Sequence, residues 1–127
     1  METEFIKFGK NLVSKEELLS SGHRACQGCG LAINIRLALK VLGPETMCLT
    51  PASCWSGVGS SYPDAAWEVI WMQTLFENVS PVAGGIDAAH RILEEKGKRA
   101  PHKVNIVCFA GDGATADIGL GSLSGAL

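Results

Sequence analysis

Short apolar runs alternate along this chain with longer stretches in which apolar residues recur every three or four positions. The clearest run is Val104-Asn105-Ile106-Val107-Cys108-Phe109-Ala110, whose near-continuous apolar character predicts a fully buried strand. Met47 to Thr50 predicts a shorter one, closed by a turn at Pro51-Ala52-Ser53-Cys54. Between them, Thr74 to Lys96 sets Val82, Ile86, Ala89 and Leu93 on one face and predicts a long helix. Strand, helix and strand at this length form a βαβ unit, so the two strands are expected to be parallel in an α/β fold. Leu31 to Leu42 predicts another helix, apolar on most sides except at Asn34, Arg36 and Lys40, and so largely buried; Gly43-Pro44 stops it. Ser14 with Glu17 three positions later predicts a capping box that opens a short helix through Leu19, broken by Ser20-Ser21-Gly22. Residues 1–13 carry no clear pattern. Residues 55–73 read as a long irregular segment holding Trp55, Tyr62, Trp67 and Trp71. Long loops of this kind are functional or disordered, and the aromatic content argues against disorder. Core filling and packing against a partner both stay open for Trp67 and Trp71. Beyond Gly119, Leu120, Leu123 and Leu127 lie on one side of a last helical stretch.

Composition narrows the class. A chain of 127 residues, 46% of them hydrophobic, can bury a real core as one globular domain. A net charge of -2 offers no basic surface to nucleic acid or to an anionic membrane. The apolar runs are too short to span a bilayer, and Met-Glu-Thr-Glu lacks the basic start of an export signal, so a cytoplasmic location is expected. In that setting Cys26, Cys29, Cys48, Cys54 and Cys108 point to metal or redox use rather than disulfides. Gly119, Gly121 and Gly125 weaken the last helical stretch by roughly 1 kcal/mol each against Ala, which predicts close packing against a helix or a bound group. The chain stops at Leu127 within that stretch, so a piece of a larger domain is expected.

Two motifs carry candidate chemistry. Gly111-Asp112-Gly113-Ala114-Thr115-Ala116-Asp117-Ile118-Gly119 stands where a strand hands over to a helix, the carboxyl edge at which open α/β sheets bind ligands. Gly111 and Gly113 let backbone N–H groups approach a phosphate, and Asp112 can hold a divalent cation that bridges to it. A plain tight turn with a solvated Asp112 explains the tripeptide equally well. The second motif is Cys26-Gln27-Gly28-Cys29, with Cys54 further on. Thiolates in this pattern suit zinc or an iron–sulfur cluster, and both normally want four ligands. Cys48, Cys108, His23 or a residue outside the chain are candidates for the fourth. Cys48 and Cys108 sit in strand-like runs and are more simply buried small hydrophobes, and His23 more simply a loop hydrogen-bonding residue.

Together the motifs carry a resemblance. Gly22-His23-Arg24-Ala25-Cys26-Gln27-Gly28-Cys29-Gly30, then Cys54, Tyr62-Pro63-Asp64-Ala65-Ala66-Trp67, Phe76-Glu77-Asn78-Val79, the Gly111–Gly119 stretch and Leu123-Ser124-Gly125 follow in an order that resembles the beta subunit of the 2-oxoacid:ferredoxin oxidoreductases, pyruvate:ferredoxin oxidoreductase above all. The resemblance implies a pyrophosphate-type thiamine diphosphate-binding domain over residues 22–127, its N-terminal part, with a parallel sheet, helices on both faces and an iron–sulfur cysteine loop. Residues 1–21 are then an N-terminal extension with the short helix. It further implies that Asp112 takes the magnesium ion, that Gly111, Gly113 and Ala114 line the phosphate turn with Ser53 on the neighbouring loop, and that Cys26, Cys29 and Cys54 hold a 4Fe-4S cluster. In the family the fourth cysteine and the remaining magnesium ligands lie downstream of the region matched here, and the glutamate that activates thiamine comes from a partner subunit. No catalytic acid or base is therefore assigned; Glu77 and Asp117 are local candidates for supporting roles, a solvated helix charge and a helix-start cap being the plainer alternatives.

The implied activity is oxidative decarboxylation of a 2-oxoacid, pyruvate first, with coenzyme A, giving acyl-CoA and carbon dioxide and sending electrons through the cluster to ferredoxin. The implied partners are the other subunits of a heteromeric complex, of alpha, gamma and delta type. Trp55 stands where many family members carry a smaller residue facing the active-site region, which bears on substrate preference. Two rival readings use part of the pattern. A non-oxidative thiamine diphosphate decarboxylase needs Gly111–Gly113 but not the cysteines; a zinc-stabilised α/β binding module needs the cysteines and leaves Gly-Asp-Gly as a turn.

Overall fold

The computed structural model describes residues 13–60 and 65–127. The elements are α1 (Gly30–Leu42), β1 (Thr46–Pro51), α2 (Cys54–Val58), β2 (Ile70–Thr74), α3 (Val79–Glu95), β3 (Asn105–Cys108), α4 (Asp112–Ala116) and α5 (Leu120–Ala126). The strands form one parallel sheet in the order β2-β1-β3. Parallel strands need crossovers, and α3 supplies the one that carries the chain from β2 past β1 to β3. Central β1 is almost wholly buried, while β2 and β3 at the edges are more open.

Successive strand residues point to opposite faces, and Cys48 and Leu49, both fully buried, show which helices cover each one. Cys48 packs with Ile35 and Leu39 of α1, Trp55 of α2, and Trp67. Leu49 packs with Val79 of α3 and Ala114 of α4, against Val82, Ala83 and Ile86. Helices therefore lie on both faces of the sheet. Each fully buried aliphatic side chain contributes on the order of 1.5–3 kcal/mol.

The sequence pattern is corrected in four places. No helix forms over Ser14–Leu19. The Ser14 hydroxyl accepts the N–H of Glu16 in a tight turn, and Glu17 turns away to Arg36 and Lys40. Leu18 and Leu19 enter the core, and Leu19 bridges antiparallel to Trp67. Residues 55–73 are not uniformly irregular: they contain most of α2 and most of β2. The long helix starts at Val79 rather than Thr74, because Ile70–Thr74 pairs with Met47–Pro51. Finally, α1 buries only Ile35 and Leu39; Ile33, Leu37 and Val41 remain 54%, 54% and 72% exposed. The segment 1–12 and the Tyr62-Pro63-Asp64 part of the aromatic motif lie outside the described residues. No helix among the described residues is long and apolar enough to cross a membrane.

Candidate functional site

Strand order 2-1-3 creates a reversal. From β1 the chain goes to one side, and from β2 it crosses to the other, so the loops after β1 and β3 part and leave a crevice at the carboxyl edge, where open α/β sheets bind ligands. The loop after β1 carries Ser53 and the loop after β3 carries Gly111. The N–H of Phe109 donates to the carbonyl of Leu49 at 2.9 Å, which extends the β1–β3 ladder to the rim. Ser53 and Asp112 thus stand on the two loops that leave this edge of the sheet.

Local chemistry fixes each side. Gly111 is the extended N-cap of α4, Asp112 and Gly113 open its first turn, and Ala114 is buried beneath. Asp112 is exposed; its Oδ1 accepts the Gly113 N–H at 2.9 Å, leaving Oδ2 open. The Thr115 hydroxyl and N–H both bond the Gly111 carbonyl, at 2.8 and 3.1 Å, locking the turn. A Cβ on Gly119 would stand 1.9 Å from the Ala114 carbonyl oxygen, so only glycine lets α5 return so closely over α4. Gly121 and Gly125 meet no such neighbour; of the three helix glycines only Gly119 has the close packing that was expected. Asp117 is the C-cap of α4 rather than a helix-start cap, and Glu77 lies exposed in the turn before α3. The Ser122 hydroxyl bonds the Glu77 carbonyl and ties α5 to that turn.

On the other side, Ser53 is the N-cap of α2. The Ser56 hydroxyl accepts the Ser53 N–H at 3.1 Å and donates to its carbonyl at 2.6 Å. The Ser53 hydroxyl itself is buried with no hydrogen-bond partner among the described residues. Cys54 follows at the helix start, exposed. The C-x-x-C loop turns through Gly28 at φ +69°, a left-handed conformation suited to glycine, and the Cys29 N–H closes it on the Cys26 carbonyl at 3.0 Å. Cys26 is exposed and Cys29 half-buried; both line an open cleft of about 1110 Å³ beside α1, while Cys54 stands outside it at the start of α2. His23 connects the two segments, its ring edge-on to Trp55 with centroids 6.1 Å apart. Among the described residues, no three His, Cys, Asp or Glu side chains converge as they would on a single metal ion.

The remaining cysteines belong to the sheet interior. Burial, with Cys108 nearby, pushes the Cys48 thiol up to about 12, and burial also raises that of Cys108. Neither offers a ready thiolate, in keeping with their reading as small hydrophobes. His23 Nδ1 accepts the Ala25 N–H at 3.4 Å, a loop hydrogen bond. Trp55 is 2% exposed and packs edge-on against Trp67 in the core. Trp67 and Trp71 stack in parallel at 6.2 Å and also fill the core. Sequence reading missed the hold on the N-terminal side of the cysteine loop. Arg36 grips Glu17 through two bonds of 2.6 and 2.7 Å and Lys40 adds a third of 2.7 Å, which together hold the Glu17 carboxyl down at about 2. Glu17 and its cations are 19 and 23 positions apart, beyond local pattern.

Fold and edge chemistry together define an open parallel α/β protein with Ser53 and Asp112 on the loops at the carboxyl edge of its sheet. No protein-family model matches the chain. Pyruvate synthase subunit PorB of Methanothermobacter marburgensis is 47% identical over 115 residues, 91% of this chain and 38% of that subunit. PorB of Methanocaldococcus jannaschii is 46% identical over 114 residues, 89% and 38% of the two chains. Ketoisovalerate oxidoreductase subunit VorB of Pyrococcus furiosus is 40% identical over 112 residues, 88% and 36%. Over that span the chain belongs to the beta subunits of the 2-oxoacid:ferredoxin oxidoreductases. It spans a little over a third of the length of these curated relatives.

Proposed function

We propose that the chain contributes the diphosphate edge and three cluster ligands to a cytoplasmic 2-oxoacid:ferredoxin oxidoreductase that converts a 2-oxoacid and coenzyme A to acyl-CoA and carbon dioxide. Pyruvate is the first candidate substrate, and ferredoxin or a similar carrier takes the electrons. The other subunits of the complex are its partners. The observation that carries this reading is the Ser53–Cys54 step. The loop after β1 carries Ser53 as the N-cap of α2 and then the exposed Cys54 thiol, and the loop after β3 carries the exposed Asp112.

The donor types present suit both groups, a carboxylate beside a glycine turn for a magnesium diphosphate and cysteine thiols for a cluster, although the three thiols are not drawn together as on a single metal ion among the described residues. Asp112 would hold magnesium through its exposed carboxylate, since this cation takes one or two carboxylates together with phosphate oxygens. Gly111, Gly113 and Ala114 give the turn a surface without bulky side chains that would receive the diphosphate, with Ser53 on the neighbouring loop. Cys26, Cys29 and Cys54 would hold the 4Fe-4S cluster as thiolates. When bound, thiamine diphosphate supplies an electron sink for decarboxylation and the cluster supplies one-electron transfer. This chain's own contribution is binding and charge compensation; Glu77 and Asp117 stand at the edge without contacts that give them a catalytic task.

Anaerobic purification of the complete oxidoreductase, followed by iron, acid-labile sulfide, zinc and thiamine analysis, tests the assignment. Iron with sulfide and thiamine is expected. Stoichiometric zinc without iron marks a zinc-stabilised module instead, and thiamine without iron a non-oxidative decarboxylase; either result overturns the proposal.

A further inference from the structure

Thr115 bonds one atom twice. Its N–H reaches the Gly111 carbonyl at 3.1 Å, the ordinary helical bond four residues back, and its hydroxyl donates to the same oxygen at 2.8 Å. Back-bonding of this kind slightly weakens or bends a helix, so it is no aid to helix formation as such. Here it stands at an exposed position in a helix of only five residues, Asp112–Ala116.

What the double bond fixes is the peptide between Gly111 and Asp112. A trans peptide is planar, with its C=O and N–H on opposite sides. With the carbonyl held back along α4, the Asp112 N–H points out of the helix start, where the first N–H groups have no intrahelical partner. The Asp112 side chain is set from the other flank: its Oδ1 accepts the Gly113 N–H at 2.9 Å. The Gly113 carbonyl in turn accepts the Gly119 N–H at 3.1 Å, which closes the far end of the turn. A Cβ on Gly111 or on Gly113 would meet nothing within 4 Å, so the surface on both sides of Asp112 is open. Asp112 is tied from both flanks, and Thr115 supplies the tie on the N-terminal one.

We propose that Thr115 is the positioning residue of the turn assigned to magnesium and diphosphate: its hydroxyl holds the Gly111 carbonyl and so keeps the Asp112 carboxylate aimed outward before a ligand arrives. The inference rests on the assignment of Asp112 made under the proposed function. Thr115 acts through the backbone and touches neither metal nor phosphate. A carboxylate already in place loses less binding energy to ordering.

The test uses the complete, anaerobically prepared oxidoreductase, stripped of magnesium and thiamine diphosphate by dialysis against a chelator. Magnesium is titrated back at fixed thiamine diphosphate, and bound thiamine is read by fluorescence. Thr115→Val keeps the branched shape and loses the hydroxyl; it is expected to need roughly tenfold more magnesium for half-occupancy, as partners of metal ligands generally do when removed. Thr115→Ser keeps the hydroxyl and is expected to bind like wild type. Thr115→Ala separates this role from plain helix support. Alanine is the better helix former, so a helix-support role predicts binding that holds or tightens, whereas loss of the hydroxyl weakens it as in Thr115→Val. Iron content is expected to stay at the wild-type level throughout. An unmoved magnesium requirement in Thr115→Val and Thr115→Ala, equal weakening in Thr115→Ser, or loss of iron in step with thiamine overturns the proposal. If Thr115→Val fails to assemble, Thr115→Ala decides by the same reading. A wild-type complex that binds no thiamine diphosphate, or an Asp112→Ala complex that binds it fully, overturns the Asp112 assignment and this inference with it. Wild-type magnesium requirement in the Thr115 variants, with Asp112→Ala empty, overturns this inference alone.

Discussion

Glu17 shows how much a single side chain can organise. It holds Arg36 and Lys40 of α1 and so fastens the segment before the cysteine loop to the helix after it. Its carboxyl sits at about 2 in the folded chain against an ordinary 4.5. Between those values the unfolded chain binds the proton and the folded chain does not. Stability from this group is therefore complete above about 4.5 and is lost as pH falls toward about 2. Urea midpoints measured at pH steps through that window are expected to fall more steeply for wild type than for Glu17→Gln; parallel curves would show that the ion pairs contribute nothing. At this scale the sequence was legible where chemistry is local. The tight turn at Gly28, the strand-to-helix handover at Asp112, and the placing of Cys48 and Cys108 on strands were all readable from neighbouring residues. Glu17 with Arg36, and Trp55 inside the core, were not legible, because both depend on contacts between segments distant in the chain.

Elements were legible in proportion to their burial on one side. α1 and α3 carry periodic apolar faces, and β1 and β3 carry continuous apolar runs, so all four were found with ends shifted by a few residues. β2 was missed because it is an edge strand: Ile70 and Met72 are exposed and only Thr74 is buried, so no alternation marks it. The outer face of α1 stays open because Ile33, Leu37 and Val41 lie opposite Ile35 and Leu39, which alone reach the sheet. α4 was hidden inside the glycine motif, since five residues are too few to show a period. Its junction with α5 gives a sharp prediction. Gly119 is buried, and any Cβ there collides with the Ala114 backbone at 1.9 Å, an atom that cannot rotate away. Gly119→Ala is expected to destabilise the chain by about 2–3 kcal/mol or more, seen as a lower denaturation midpoint, whereas Gly121→Ala at an open helical position is expected to stabilise slightly. Equal effects at the two positions would refute the close approach.

Across the whole molecule, the two candidate centres share an edge of the sheet but hang from different elements. Asp112 is set by β3 and α4, and the thiols by the loop before α1 and by α2; the connection between them runs through the stack from His23 to Trp55 to Trp67 and on to Phe109. Packed aromatic rings hold spacing without tying one centre's ligands to the other's, so the two sites should fail separately. In the complete oxidoreductase, Asp112→Ala is expected to lose magnesium and thiamine diphosphate while iron stays at the wild-type level. Cys54→Ser is expected to lose iron while thiamine stays. Each variant should weaken its own group by more than the roughly 10–100-fold carried by a merely supporting residue, because each removes a ligand itself. Metal analysis and thiamine fluorescence on the same preparations read both losses at once. Full thiamine occupancy in Asp112→Ala refutes its role as the magnesium ligand. Loss of both groups in either variant refutes the separation, and would mean that the aromatic stack makes the cysteine loop and the phosphate turn one cooperative unit.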